Sequence, residues 1–216
     1  MAREPAAPTD TAPTRTLVLR LWLPDRAGAL GQVASRIGAV HGDVVAIDIL
    51  ERGAGRVIDE LVVSLPESTS EELLAQEVGA VDGVAVEQIW TAAGDRPDSA
   101  TAMLELAAAV RDAPPDAWLT TLADGLAAAT DADWAVVVRG DTIVRRSGQP
   151  PDAGWLVAFL DGSEHLDAAA SGAPGDVLWA RLPRSGLAVA AGRSNRGVHD
   201  RERARVALLA RSVDGR

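Results

Sequence analysis

Hydrophobic periodicity constrains this chain most, because it switches repeatedly between two and about 3.6 from residue 15 to residue 92. Leu17, Leu19, Leu21 and Leu23 alternate with Val18, Arg20 and Trp22, a strand pattern broken by Pro24, Asp25 and Gly28. Leu30, Val33, Ile37 and Val40 then recur every three or four residues, which predicts an amphipathic helix ending at Gly42. Alternation returns from Val44 to Leu50, with Val45, Ile47 and Ile49 expected on one face. Residues 52–55 read as a turn. Val57 to Leu65 reads as a strand with Leu61, Val63 and Leu65 aligned, stopped by Pro66. Ser70 is placed to cap a helix carrying Leu73, Leu74 and Val78, which Gly83 ends, and Val84 to Trp90 is a fourth strand. The order is βαββαβ, the split βαβ plan.

The polar Gly/Pro segment 93–99 is the expected domain boundary, and the Pro/Ala/Thr-rich residues 1–14 the expected disordered tail. Beyond the boundary, residues 100–213 read as a second domain. Met103, Leu106 and Val110 line one helix, and Trp118, Leu122 and Leu126 the next. Trp134 to Val138 and Thr142 to Arg146 form a hairpin, as do Val177 to Leu182 and Leu187 to Ala191. Trp155 to Leu160 is compatible with a strand or a helical turn. A final helix opens at His199 or Asp200, with Val206, Leu208 and Leu209 expected inside and its arginines outside.

Composition removes several chemistries. The net charge of −10 over 216 residues opposes general binding to nucleic acid or anionic membranes. All 21 basic residues are arginine, so Schiff-base chemistry and a P-loop lysine are excluded. There is no cysteine, hence no disulfide and no thiolate ligand or nucleophile. No run reaches the length of a membrane span, and the N-terminus lacks the apolar core of a secretory signal, so a cytoplasmic location is expected. The acids are concentrated in the first half, with fifteen acids against seven arginines in residues 1–95.

The run Leu23-Pro24-Asp25-Arg26-Ala27-Gly28-Ala29-Leu30 sits where strand one meets helix one. In that setting residues 15–92 resemble the ACT domain, a small ferredoxin-like regulatory module that typically binds an amino acid where two copies meet. The resemblance implies a homodimer, with strand-two edges in contact. The loop has its own physical logic. Gly28 permits a sharp turn or a close approach by a ligand. The N–H groups of Gly28, Ala29 and Leu30 open a helix and attract a carboxylate. Asp25 is placed to receive an ammonium. The same loop also makes sense without a ligand, with Asp25 as helix cap and Gly28 required for packing. Serine-sensing ACT domains carry polar side chains at positions that match Leu23 and Val44. The apolar pair favours an apolar amino acid (Leu, Ile, Val or Met class) or no ligand. The expected ligand set is therefore Leu23, Asp25, Arg26, Ala27, Gly28, Ala29, Leu30 and Val44.

The second half, through Val177–Leu182, Gly186–Ala190 and the helix after Val198-His199-Asp200, resembles a GAF-like (PAS-related) sensory domain. Its antiparallel sheet with flanking helices would serve dimerisation or signal readout. No cysteine can hold a bilin, and the lysine-containing cyclic-nucleotide constellation is missing.

No catalytic residues, cofactor or metal site are expected. His41, His165 and His199 are scattered, and no nucleophile elbow or dinucleotide loop occurs. Asp59-Glu60 falls on opposite faces of a strand, which argues against paired acid–base work. Trp22, Val18, Ile58 and Val62 share the strand face opposite the helices, an apolar surface expected to be covered. The chain thus reads as a non-catalytic regulatory protein, or as a ligand-free interaction scaffold that keeps both folds.

Overall fold

The computed structural model describes residues 13–92, 98–163, 176–194 and 196–216. Most of the predicted tail and linker, and the loop carrying His165, lie outside the described residues. The chain divides into two compact units, Met1–Arg96 and Pro97–Arg216. Together they hold two four-stranded antiparallel sheets and, among the described residues, six helices, an α+β architecture.

The first unit runs β1 (Thr14–Pro24), α1 (Ala29–Ala39), β2 (Asp43–Gly53), β3 (Arg56–Pro66), α2 (Glu71–Gly79) and β4 (Ala85–Thr91). Its sheet has the order β2-β3-β1-β4. One face carries Leu17, Leu19, Leu21, Leu23, Leu61, Val63 and Leu65, which pack against Val33 and Ile37 of α1 and Leu74 and Val78 of α2. Each such side chain contributes roughly 1.5–3 kcal/mol by leaving water. Ser70 caps α2 by accepting the N–H of Leu73 at 3.2 Å. Leu73, predicted inside, is exposed, because Leu74 and Val78 are the residues of that helix that reach the sheet. The turn ending α1 also differs from expectation. His41 rather than Gly42 takes the left-handed conformation, with φ 60°, and the Gly42 N–H reaches the Ile37 carbonyl at 3.0 Å.

Register corrects two readings of the strands. A bulge between Val44 and Ala46 shifts the alternation of β2. Val44, Ile47 and Ile49 therefore stand opposite Val63, Leu61 and Asp59, and Val45 sits in the bulge, 63% exposed. The face of the sheet away from the helices is not simply apolar. Val18 and Ile58 are buried there, but Arg20 and Glu60 lie between them and form a 2.6 Å ion pair. The Arg20 guanidinium also lies 5.7 Å from the ring centroid of Trp90. In the sequence Arg20 is one of the residues alternating with the leucines of β1, and that pattern carries no sign of its burial.

The second unit contains α3 (Ser99–Asp112), α4 (Trp118–Ala129), β5 (Trp134–Arg139), β6 (Thr142–Gly148), α5 (Ala153–Gly162), β7 (Val177–Leu182), β8 (Leu187–Gly192) and α6 (Asp200–Val213). Its sheet order is β6-β5-β8-β7. One core joins Leu106, Leu122, Leu126, Val137, Val189, Val206 and Leu209 between that sheet and α3, α4 and α6. A second joins Trp134, Val136, Trp179 and Ala190 to Leu156 and Leu160 of α5. The ambiguous segment around Trp155 is thus helical. Asp152 starts it by accepting the N–H groups of Gly154 and Trp155 at 2.8 and 3.3 Å. Within this core a Cβ at Gly192 would overlap the Trp134 ring, so the strand can pass that indole only with glycine there.

Helix α6 reverses part of its predicted facing. Arg203 is buried alongside Val206, Leu209, Ala210 and Val213, whereas Leu208 is exposed. Positions 203, 206, 210 and 213 follow helical spacing, and 208 falls off that stripe. Buried Arg193 fastens the start of α6. It donates to the carbonyls of Thr130 (2.9 Å) and Gly197 (2.8 Å) and to Glu202 (2.6 Å).

Candidate functional site

The β1–α1 loop is built by two backbone contacts and one glycine. The Asp25 N–H donates to the Gly55 carbonyl at 2.9 Å, which ties the loop to the β2–β3 turn. The Arg26 N–H turns back to the Pro24 carbonyl at 2.8 Å. Gly28 then takes φ 85° and is the residue from which α1 starts, with no side-chain cap. A residue with a Cβ is strained at that φ, which is why glycine stands there. Asp25 is therefore not the helix cap.

The structure brings most of the predicted set together. Asp25, Arg26, Ala27 and Gly28 are exposed, Leu30 is half-buried, and Ala29 is buried at the first turn of α1. The Ala29 N–H is given to the Arg26 carbonyl at 3.3 Å. The N–H groups of Gly28 and Leu30 have no partner among the described residues, so donors at the positive end of the helix remain open to an anion. Arg26 lies across the first turn and donates to Gln32 at 2.9 Å. Leu23 is only 2% exposed and belongs to the core under the loop.

Val44 is not near the loop. It pairs with Val63, which pairs with Leu17, whereas the loop leaves β1 after Leu23 and Pro24. The six steps from Leu17 to Leu23 span on the order of 20 Å of strand. Within one chain, Val44 and the loop mark opposite ends of the sheet. What lies beside the loop instead is the far end of β2 and the near end of β3. Arg52 stands opposite Val57, and its guanidinium is 3.6 Å from the Asp25 carboxylate. That pair is well exposed, so its worth is below about 1 kcal/mol.

One further residue belongs to this end of the sheet, an acid that its sequence neighbours mark only as one of the pair Asp59-Glu60. Asp59 stands opposite Leu21 and Ile49, on the helix face, and is 3% exposed. Its Oδ1 has no hydrogen-bond partner among the described residues. Burial raises its pKa above the ordinary 3.8, Arg52 pulls it down, and the charges of Asp48 and Asp25 add to the rise. The signal was present in the alternation: Asp59 has the parity of Leu61, Val63 and Leu65, so an acid occupies a core-facing position.

In the second unit a cavity of about 460 Å³ lies between α5 and the β7–β8 hairpin, lined by Val138, Val157, Leu160, Arg181 and Leu187. The Arg181 guanidinium is engaged there by the Leu160 carbonyl at 2.7 Å and by Asp161 at 4.0 Å. Among the described residues no group of three or more acidic or histidine side chains could hold a metal ion, and no helix is long and apolar enough to cross a membrane.

No family model matches the chain, and no curated protein matches it. Several solved structures are similar to the chain, among them the following three. An uncharacterized protein from Thermotoga maritima is 19% identical, with 38% of this chain and all of that one covered, at a TM-score of 0.29. An unknown protein from Galdieria sulphuraria is 12% identical, with 83% of this chain and 81% of that one covered, at 0.33. A formyltetrahydrofolate deformylase from Pseudomonas putida KT2440 is 21% identical, with 44% of this chain covered, at 0.30; the match spans 38% of the deformylase.

Proposed function

We propose that this is a non-catalytic regulatory protein whose first unit is a ferredoxin-like, ACT-like domain that binds a small amino acid at the Asp25–Leu30 loop. The observation that carries this reading is the loop itself: an exposed turn pinned at Asp25, a left-handed Gly28, and open N–H groups at the start of α1. A carboxylate on those donors and an alkyl group toward Leu30 describe an apolar amino acid. The second unit is read as a GAF-like domain for dimerisation or readout, and the protein as cytoplasmic.

The separation of Val44 from the loop bears on the assembly. Edge strand β2 presents Val45 and Ile47, 63% and 48% exposed, beside unpaired backbone groups. Two copies joined antiparallel along β2 would carry Val44 of one copy toward the loop end of the other. The ligand set predicted from the sequence is then completed only in a homodimer.

The second reading, a scaffold without a ligand, is favoured by Leu23. Its side chain is sealed in the core and offers a ligand nothing. A thermal-shift screen of the full chain against the twenty amino acids separates the two, because binding to the folded state raises the melting temperature. A rise with an apolar amino acid, abolished by Gly28→Asp, supports the site. A flat response to all twenty at millimolar concentration removes it. Sizing chromatography should return a dimer, and a monomer removes the shared site.

A further inference from the structure

Asp59 has no role in the fold that accounts for its burial. A carboxylate on the core face of β3, beside Leu21 and Ile49, displaces apolar contact and loses its hydration. Such groups are normally paired. The Asp59 Oδ1 is not paired among the described residues. The neighbouring cation, Arg52, is already 3.6 Å from Asp25. One guanidinium therefore faces two carboxylates, and the charge of Asp48 adds to the cost of ionising Asp59. Among the described residues Asp59 itself has no cation at ion-pair distance and no donor on its Oδ1.

The missing charge lies where a zwitterion would supply it. Asp59 sits two positions along β3 from Val57, the partner of Leu23, on the helix face and at the end of the sheet where α1 begins. The helix start offers N–H donors to an anion, and the carboxylate side of the same loop offers a place for a cation. Arg52 is exposed on the edge strand, so it can swing aside without disturbing the core. Resting on the amino-acid reading of this loop, we propose that Asp59 is the ammonium receptor of the site. It makes the loop select a ligand with an α-ammonium over the same carboxylate without one. Asp25, the residue the loop motif offers for that task, then serves to hold Arg52 at the rim.

The test compares the amino acid that gives the largest shift with its des-amino counterpart, for example L-leucine with 4-methylpentanoate, by titration calorimetry on the full chain. Wild type should bind the amino acid at least tenfold more tightly. Asp59→Asn should erase that preference, weakening the amino acid about tenfold and leaving the des-amino acid unchanged. A preference that survives in Asp59→Asn overturns the proposal. Equal binding of the two ligands by wild type overturns it as well, and needs no variant to fold. Asp25→Asn should retain most of the preference; its loss there with Asp59→Asn unaffected would return the role to Asp25. Failure of wild type to bind any amino acid is a different result, since it removes the reading on which this one rests.

Discussion

Gly28 and Asp59 depart from what their neighbours would choose, and both departures lie at one end of one sheet. Gly28 is the only way to leave the Asp25–Ala27 turn and start α1 without strain, since its φ is 85°. The space around it is open, so a methyl group there meets no neighbour. Gly28→Ala should therefore cost about 1–2 kcal/mol, the penalty of a left-handed alanine, with no packing defect. Urea denaturation would show the loss as a lower midpoint with an unchanged slope. A loss near zero would mean that the turn relaxes. The glycine was legible in the sequence because a strand-loop-helix junction demanded it. Asp59 was less so. Its parity was visible, but whether a core-parity acid is paired depends on side chains from β1 and β2 that only the fold assembles.

Elements were legible wherever one period ran long enough to dominate. The four strands and two helices of the first unit follow the predicted order, and so do the hairpins of the second. What failed was facing, and for local reasons. The bulge at Val45 adds a residue to β2 and reverses its alternation, and no periodicity announces a bulge before it occurs. The Trp155 run is too short for its period to speak, although Asp152 ahead of it was a usable start signal. In β1 and β3 the apolar reading of the second face missed the Arg20–Glu60 pair, which joins the two central strands at 2.6 Å. Removing Glu60 costs the buried Arg20 guanidinium its 2.6 Å carboxylate. Glu60→Ala should thus destabilise by about 3–5 kcal/mol, whereas the joint change Arg20→Met with Glu60→Leu should recover most of that loss. Chemical denaturation of the three variants decides it, and equal losses for single and double changes would deny that the pair acts as a unit.

For the molecule as a whole, charge gives the two units opposite responses to acid at particular aspartates. In the first unit, burial raises the Asp59 pKa, opposed by Arg52 and reinforced by Asp48 and Asp25. A folded pKa above the unfolded one gives stability that is present below about 3.8 and lost as the pH rises through the raised value. Asp59→Asn should therefore melt higher than wild type at neutral pH, by a margin that shrinks on acidification. In the second unit, Asp133 accepts the backbone N–H and the hydroxyl of Ser194 at 2.7 and 2.8 Å, and these bonds lower its pKa. Its contribution is present above 3.8 and lost as the pH falls through the lowered value. Asp133→Asn should cost a small amount at neutral pH and nothing in strong acid, because the carboxylate is exposed. Melting curves of both variants across the acid range should diverge from wild type in opposite senses.

The passage of β8 beneath the Trp134 ring has a consequence for how this sequence can vary. A side chain at position 192 and an indole at position 134 compete for the same volume. The two sites are therefore coupled: Gly192→Ala should be damaging in this background and tolerated once Trp134 is replaced by a smaller residue such as leucine. Sequences that diverge from this one while keeping the fold would have to cross that barrier in order, shrinking position 134 before position 192 is free to grow.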